Sequence, residues 1–119
     1  MKVEEMIVSS SRVFEAREAY RLTHLKETEQ VKDLPDGGIY SVLNWLVYLS
    51  ENKDGETNEV LLIIAADEDG VEHFLTTVSS TFKESFLEMA DSFGCDFIWK
   101  KISGKSKAGR EYVDCEFVE

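Results

Sequence analysis

Apolar residues fall on both alternating faces of IYSVLNWLVYL, residues 39–49, and many are β-branched or aromatic. That pattern predicts a long strand buried on both sides. EVLLIIAAD (59–67) and VEHFLTTVS (71–79) read as a second and third strand. The first two are joined by the loop SENKDGETN, and the last two by a tight Asp69-Gly70 turn, which makes an antiparallel meander. The period then changes. Phe82, Phe86, Met89, Ala90 and Phe93 recur at three- and four-residue spacing, which predicts one amphipathic helix over 80–93. Thr81 followed by Glu84 has the form of a capping box, and Gly94 that of a helix stop. CDFIWKKI (95–102) and EYVDCEFV (111–118) are two further strands, joined by SGKSKAGR. Upstream, SRVFEAREAYRL (11–22) places Val13, Ala16 and Tyr20 at helical spacing and predicts a short helix. KETEQVKDLPDGG then holds the lone proline, Pro35, in a strong turn signal. Residues 1–9 carry no readable period and are expected to be loose.

The predicted order after the short N-terminal helix is β-β-β-α-β-β. Five short strands with antiparallel connections suit a mostly β fold, a five-stranded OB-fold-like barrel with its helix between strands three and four. With 119 residues, the expectation is one such domain over 1–119 with a real core of its own. The helix would plug one end of the barrel. In such barrels the first loop and the loop between strands four and five flank the ligand face, and the latter is SGKSKAGR.

Charge makes that loop stand out. The chain carries a formal net charge of −11, which argues against a protein that coats nucleic acid through its whole surface. Yet five of its thirteen basic residues, Lys100, Lys101, Lys105, Lys107 and Arg110, fall within residues 100–110, where no acid stands. Gly104 and Gly109 would let the loop bend while Lys105, Lys107 and Arg110 project from a flexible tip. A basic loop on a barrel fits a nucleic-acid backbone, because each cation that neutralises a phosphate also releases condensed counterions. Base affinity would then come from aromatic stacking, which tolerates any sequence. Tyr48 shares a strand face with Asn44, Phe74 shares one with Thr76, and Trp99 precedes the lysine pair, so these three are the candidate platforms. A place in the core is the commoner fate of such a residue, and periodicity does not separate the two roles.

Other chemistries find little support. Gly104-Lys105-Ser106 invites a phosphate-loop reading, but the glycine required five positions earlier is Trp99, and no helix follows. His24 and His73 form no set with a carboxylate and a nucleophile, and His73 is expected to pack or cap rather than catalyse. The cluster DEDG (67–70) sits in a turn and matches no calcium loop. Cys95 and Cys115 lack zinc or redox spacing and read as free thiols in a reducing compartment. No apolar run approaches the roughly 18 residues of a membrane span, and the N-terminus has acids where a signal peptide needs apolar residues. A non-enzymatic, soluble, intracellular protein with no cofactor, metal or membrane partner is expected.

LPDGG before a long strand, GETNEVLLIIAADEDGVEHFLTTVSSTFKESF, and SGKSKAGREYVDCEF together resemble the single-stranded DNA-binding proteins of tailed bacteriophages, replication proteins of OB-fold type. The resemblance covers residues 12–118. Its most distinctive part combines Ser-x-Thr-Phe opening the helix with Ser-Lys-Ala-Gly-Arg near the end, and AYRLTH at 19–24 adds to it. It implies sequence-independent coating and protection of single strands in phage replication or recombination, in the host cytoplasm and without a cofactor. Its implied partners are single-stranded DNA and replication or recombination proteins, and a homo-oligomer is compatible with it. By position the binding role falls on Lys105, Lys107 and Arg110, and beyond them on Tyr20 and Arg21. Cellular single-strand binders end in a flexible acidic tail, whereas this sequence stops at CEFVE inside its last predicted strand, so tail-mediated recruitment is not implied. The competing reading rests on the net charge: an acidic protein-interaction domain, or an anti-defence mimic of DNA, that binds protein rather than nucleic acid.

Overall fold

A computed structural model of the chain describes residues 6–119. Its centre is β3 (Ile39–Glu51), which pairs antiparallel with β4 (Thr57–Asp67) along nearly its whole length. The start of β3 pairs with β6 (Ile98–Lys105), and its far half with β1 (Ile7–Ser10). β5 (Glu72–Thr77) flanks β4, and β7 (Glu111–Val118) flanks β6. A two-residue β2 (Glu29–Gln30) runs parallel to β5 on its other edge. The order is β2-β5-β4-β3-β6-β7, with β1 added to β3, in one seven-stranded sheet. The protein is mostly β, a curled open sheet forming a half-barrel, with two α-helices lying wholly within the described residues, α1 (Ala16–Thr23) and α2 (Ser80–Phe93).

The meander, the 80–93 helix and the final hairpin fall where the sequence pattern puts them. Two further strands are present. Residues 7–9, expected to be loose, belong to β1, while residues 1–5 lie outside the described residues. Both β1 and β2 are too short to carry a period of their own; they exist because β3 and β5 offer unpaired backbone groups that must find partners.

Both faces of β3 are covered, as its two-sided hydrophobicity predicts. On the inner face Tyr40, Val42 and Val47 join Leu61, Ile63, Leu75, Phe82, Phe86, Phe97 and Trp99 in the main core. On the outer face Leu46 and Tyr48 join Leu62 beneath Phe14, Ala19 and Leu22 of the α1 segment. A bulge between Val42 and Asn44 shifts the alternation by one residue, so that even positions before it and odd positions after it face the main core, and leaves Leu43 exposed.

The helix ends differ in detail from the sequence reading. Ser79, not Thr81, caps α2, its hydroxyl accepting the Phe82 N–H at 3.3 Å. Phe82 is therefore the third helical residue and no capping box forms. Gly94 is the stop, at φ +67°, and its N–H donates to the Ala90 carbonyl at 2.7 Å. α1 starts at Ala16, later than the predicted Ser11, because Ser11 is held on β3: its N–H donates to the Trp45 carbonyl at 2.9 Å. The buried side of α1 consequently carries Ala19 and Leu22, while Val13 and Tyr20 of the predicted stripe are exposed.

Phe86 touches the rings of Phe82, Phe97, Trp45 and Trp99 at centroid distances of 5.3–6.4 Å. Fully buried, it is the hub between α2 and the sheet. Phe86→Ala is expected to lower unfolding free energy by about 3–5 kcal/mol in urea titration. A loss below about 1 kcal/mol would show that this helix face is not packed as described.

Candidate functional site

The β6–β7 hairpin turns at Ser106–Arg110. The Ser106 N–H donates to the Arg110 carbonyl at 2.8 Å, and the Arg110 N–H donates to the Ser106 hydroxyl at 3.2 Å. Gly109 takes φ +81°, the left-handed conformation that this turn requires. The tip is thus a closed hydrogen-bonded turn rather than a loose loop. Gly104, read from sequence as a second flexible point, lies inside β6 and has no positive φ. Lys105, Lys107 and Arg110 are exposed and make no ion pair among the described residues.

Beside the hairpin lies a groove of about 750 Å³. One wall is β6–β7, with Lys101, Ser103, Lys105, Glu111 and Val113; the other holds Lys32, Asp36 and the α2 cap Ser79. It occupies the open side of the sheet, near where β5 and β7 fail to meet. Lys101 and Asp36 neutralise each other there, which leaves Lys32 and Lys105 against Glu111, an excess of one positive charge beside the basic turn.

The remaining basic residues of this stretch are not free. Lys101 is 3% exposed. Its ammonium donates to the Asp36 carboxylate at 2.7 Å and to the Leu34 carbonyl at 2.8 Å. Its backbone exchanges hydrogen bonds with the Gly37–Gly38 turn. The ammonium, seconded by the Ser103 hydroxyl, holds the Asp36 carboxyl below its ordinary range. Lys101 is thus a structural pin for residues 32–38, which corrects its reading as a phosphate contact. Lys100 stands 3.5 Å from Glu116 and is half-buried.

The aromatic candidates divide in the same way. Trp99 is fully buried, stacked on Tyr40 at 5.0 Å and edge-on to Phe82 at 5.3 Å, so it is a core residue and no platform. An inward position on β6, opposite Tyr40, sends it under α2. Tyr48 and Phe74 do share the outer face, but Tyr48 is buried there and Phe74 partly so, both in the cluster built around the α1 segment. Burial also pushes the Tyr48 phenol above its ordinary pKa. Tyr20 and Arg21 are exposed on α1. Tyr20 stacks on His24 at 4.1 Å. Since the buried side of α1 lies on β3 and β4, these two residues are not gathered with the hairpin cations. The structure brings together Lys105, Lys107 and Arg110, and adds Lys32, which no sequence signal marks because it reaches the groove from a distant turn.

His73 is the one histidine engaged by carboxylates among the described residues. Its Nδ1 lies 2.6 Å from Glu29 on β2, and its Nε2 lies 2.7 Å from Asp67 on β4. A neutral imidazole can donate to one of these only; the imidazolium donates to both. The Asp67 and then the Glu29 hydrogen bond raise the His73 pKa, and that to His73 lowers Asp67. The ring ties β2 to the sheet through an ionic bridge. No group of three His, Cys, Asp or Glu side chains among the described residues is placed to hold a metal ion. Both cysteines are free thiols, and burial pushes Cys115 up to about 12, which makes it unreactive. No helix among the described residues is long and apolar enough to cross a membrane.

The chain matches no family model, and neither a curated protein nor a solved structure is significantly similar to it.

Two consequences follow from the pinned lysine and the bridged histidine. Lys101→Met should lower unfolding free energy by about 1–3 kcal/mol in denaturant titration, since it strips a buried carbonyl of its donor while Asp36 stays solvated. A neutral result would mean that residues 32–38 hold without the pin. For His73, a raised folded pKa gives stability fully present below its ordinary 6.5 and lost as pH rises through the folded value. Asp67, depressed, adds stability present above its ordinary 3.8 and lost as pH falls through its folded value. The melting-temperature gap between wild type and His73→Gln should therefore be widest between pH 3.8 and 6.5 and should close at higher pH. A gap independent of pH would remove the charged bridge.

Proposed function

We propose that this protein binds single-stranded nucleic acid without sequence preference, with the β6–β7 hairpin and its adjoining groove as the backbone-binding surface. One observation carries the reading. Lys105, Lys107 and Arg110 stand exposed at a tight turn and make no ion pair among the described residues, contiguous with a groove that adds Lys32, on a chain whose net charge is −11. Placing cations together on so acidic a protein costs local repulsion and invites an anionic partner.

The fold supports the reading in a finer sense. If β3, β4, β5, β6 and β7 are taken as the five strands of an OB-like barrel, α2 falls between the third and fourth, and the basic hairpin becomes the loop between the fourth and fifth. That loop is one of those with which such barrels hold oligonucleotides. The outer face of the second and third strands, the other usual surface, is here partly covered by the α1 segment. The binding surface is therefore assigned to the hairpin side. The resemblance to phage single-stranded DNA-binding proteins supplies the biological setting: coating of single strands during replication or recombination in a host cytoplasm.

Salt titration tests this. Each phosphate contact contributes about 0.7 to the slope of log affinity against log salt, so Lys105, Lys107 and Arg110 all changed to alanine should lower the slope for oligo-dT by roughly 2. Unfolding free energy should change by no more than about 0.5 kcal/mol, as for other exposed charges. If the triple variant keeps wild-type affinity and slope, the hairpin is only a solvated turn, and the acidic protein-interaction reading replaces this one.

A further inference from the structure

The same hairpin carries an aromatic side chain outside the stacking set that the sequence pattern suggests. Tyr112 stands opposite Gly104 in the β6–β7 ladder. Its ring lies across that glycine: a Cβ built at Gly104 would sit 2.5 Å from the Tyr112 Oη and 2.6 Å from Cζ. Since Gly104 has no positive φ, glycine is needed here for space and not for backbone conformation. The ring is thereby laid along the strand instead of rising free from it. Tyr112 is nevertheless 40% exposed. It is among the residues that line the basic groove, but its ring lies on the Gly104 face of the hairpin, whereas Lys105, Ser103 and Lys101 alternate onto the other face. Trp99, Tyr48 and Phe74 are engaged in packing, whereas Tyr112 combines exposure, a ring laid over Gly104 and a place on the hairpin whose turn carries Lys105, Lys107 and Arg110.

We propose that Tyr112 is a stacking platform for a nucleobase of a single strand whose phosphates cross the exposed hairpin turn at Lys105, Lys107 and Arg110. This rests on the single-strand reading above and assigns that site its base contact. Stacking suits a sequence-independent binder, because every base has a π-face. A ring already held by its own backbone loses little conformational freedom when the base arrives. Glu111 opposes Lys105 in the ladder, so the hairpin end is not uniformly basic. A neutral ring adds affinity there without adding charge. An aromatic laid over a strand glycine can also serve stability alone. That role predicts a lower melting temperature with unaltered binding by the folded protein.

The experiment is a fluorescence-anisotropy titration of the full chain with labelled oligo-dT, and with an abasic strand of equal length, across a salt series. Tyr112→Phe should bind oligo-dT within about twofold of wild type. Tyr112→Leu, folded by circular dichroism, should bind it about 5- to 100-fold more weakly with an unchanged salt slope. On the abasic strand, Tyr112→Leu and wild type should be alike. Unchanged oligo-dT affinity in Tyr112→Leu, or an equal loss on the abasic strand, overturns the platform while leaving the single-strand reading intact. Failure of wild type to bind oligo-dT at low salt overturns both. A readout that needs no variant is nitration of tyrosines in the wild-type protein, mapped by peptide mass. Oligo-dT should protect Tyr112 and the abasic strand should not, with exposed Tyr20 as the internal reference; protection absent from Tyr112 overturns the platform even if Tyr112→Leu fails to fold.

Discussion

The need to cover β3 on both faces governs the arrangement of the molecule. Thirteen residues long, this strand presents Tyr40, Val42 and Val47 on one side and Leu46 and Tyr48 on the other. A sheet in water can leave one face polar; this strand leaves neither so. The inner face is closed by α2, whose Phe82 and Phe86 pack with Tyr40 and Trp99. The outer face is closed by Phe14, Ala19 and Leu22, which explains why a short helix with no side-chain N-cap bond holds its place. Tertiary burial, not local propensity, stabilises a helix of eight residues.

Closing those faces also leaves the sheet with a definite gap. Among the described residues β5 and β7 are not joined: β5 takes the short β2 on its free edge, and β7 pairs with β6. His73 and Lys101 fasten the segments that line this opening. His73 links β2 to β4 through two carboxylates, and Lys101 holds residues 32–38 against β6. Both are interactions between distant parts of the sequence, and both use an ionic group to satisfy several partners at once. The groove beside the basic hairpin has one wall from each side of this opening, so its shape depends on those fastenings.

Much of the candidate site is legible because charge and turn chemistry are local. An acid-free run with Gly109 between two strand patterns is enough to mark a basic hairpin, and Lys105, Lys107 and Arg110 are exposed there as a turn requires. The misassigned residues fail for a common reason. Trp99 and Lys101 alternate on one face of β6, and whether that face is wet or dry depends on α2 and on the 32–38 segment, neither of which is adjacent in sequence. Tyr112 is passed over because its neighbours are acidic, and Gly104 because a glycine near a turn suggests flexibility; the cross-strand pairing that joins the two is a matter of register.

The sequence by itself determines the strands of the meander and the final hairpin, the α2 helix with its Gly94 stop, and the place where positive charge gathers. Each of these rests on a period of two or 3.6 residues, on turn chemistry or on formal charge, all set within a dozen positions. Tertiary structure alone decides that residues 7–10 and 29–30 become strands, that α1 turns Ala19 and Leu22 inward, and that Lys101 is buried while Lys105 is not. These outcomes depend on which backbone edges remain unpaired and which faces remain uncovered once β3 has been enclosed. An edge or a face exists only after other segments have assembled, so no window of the sequence contains it.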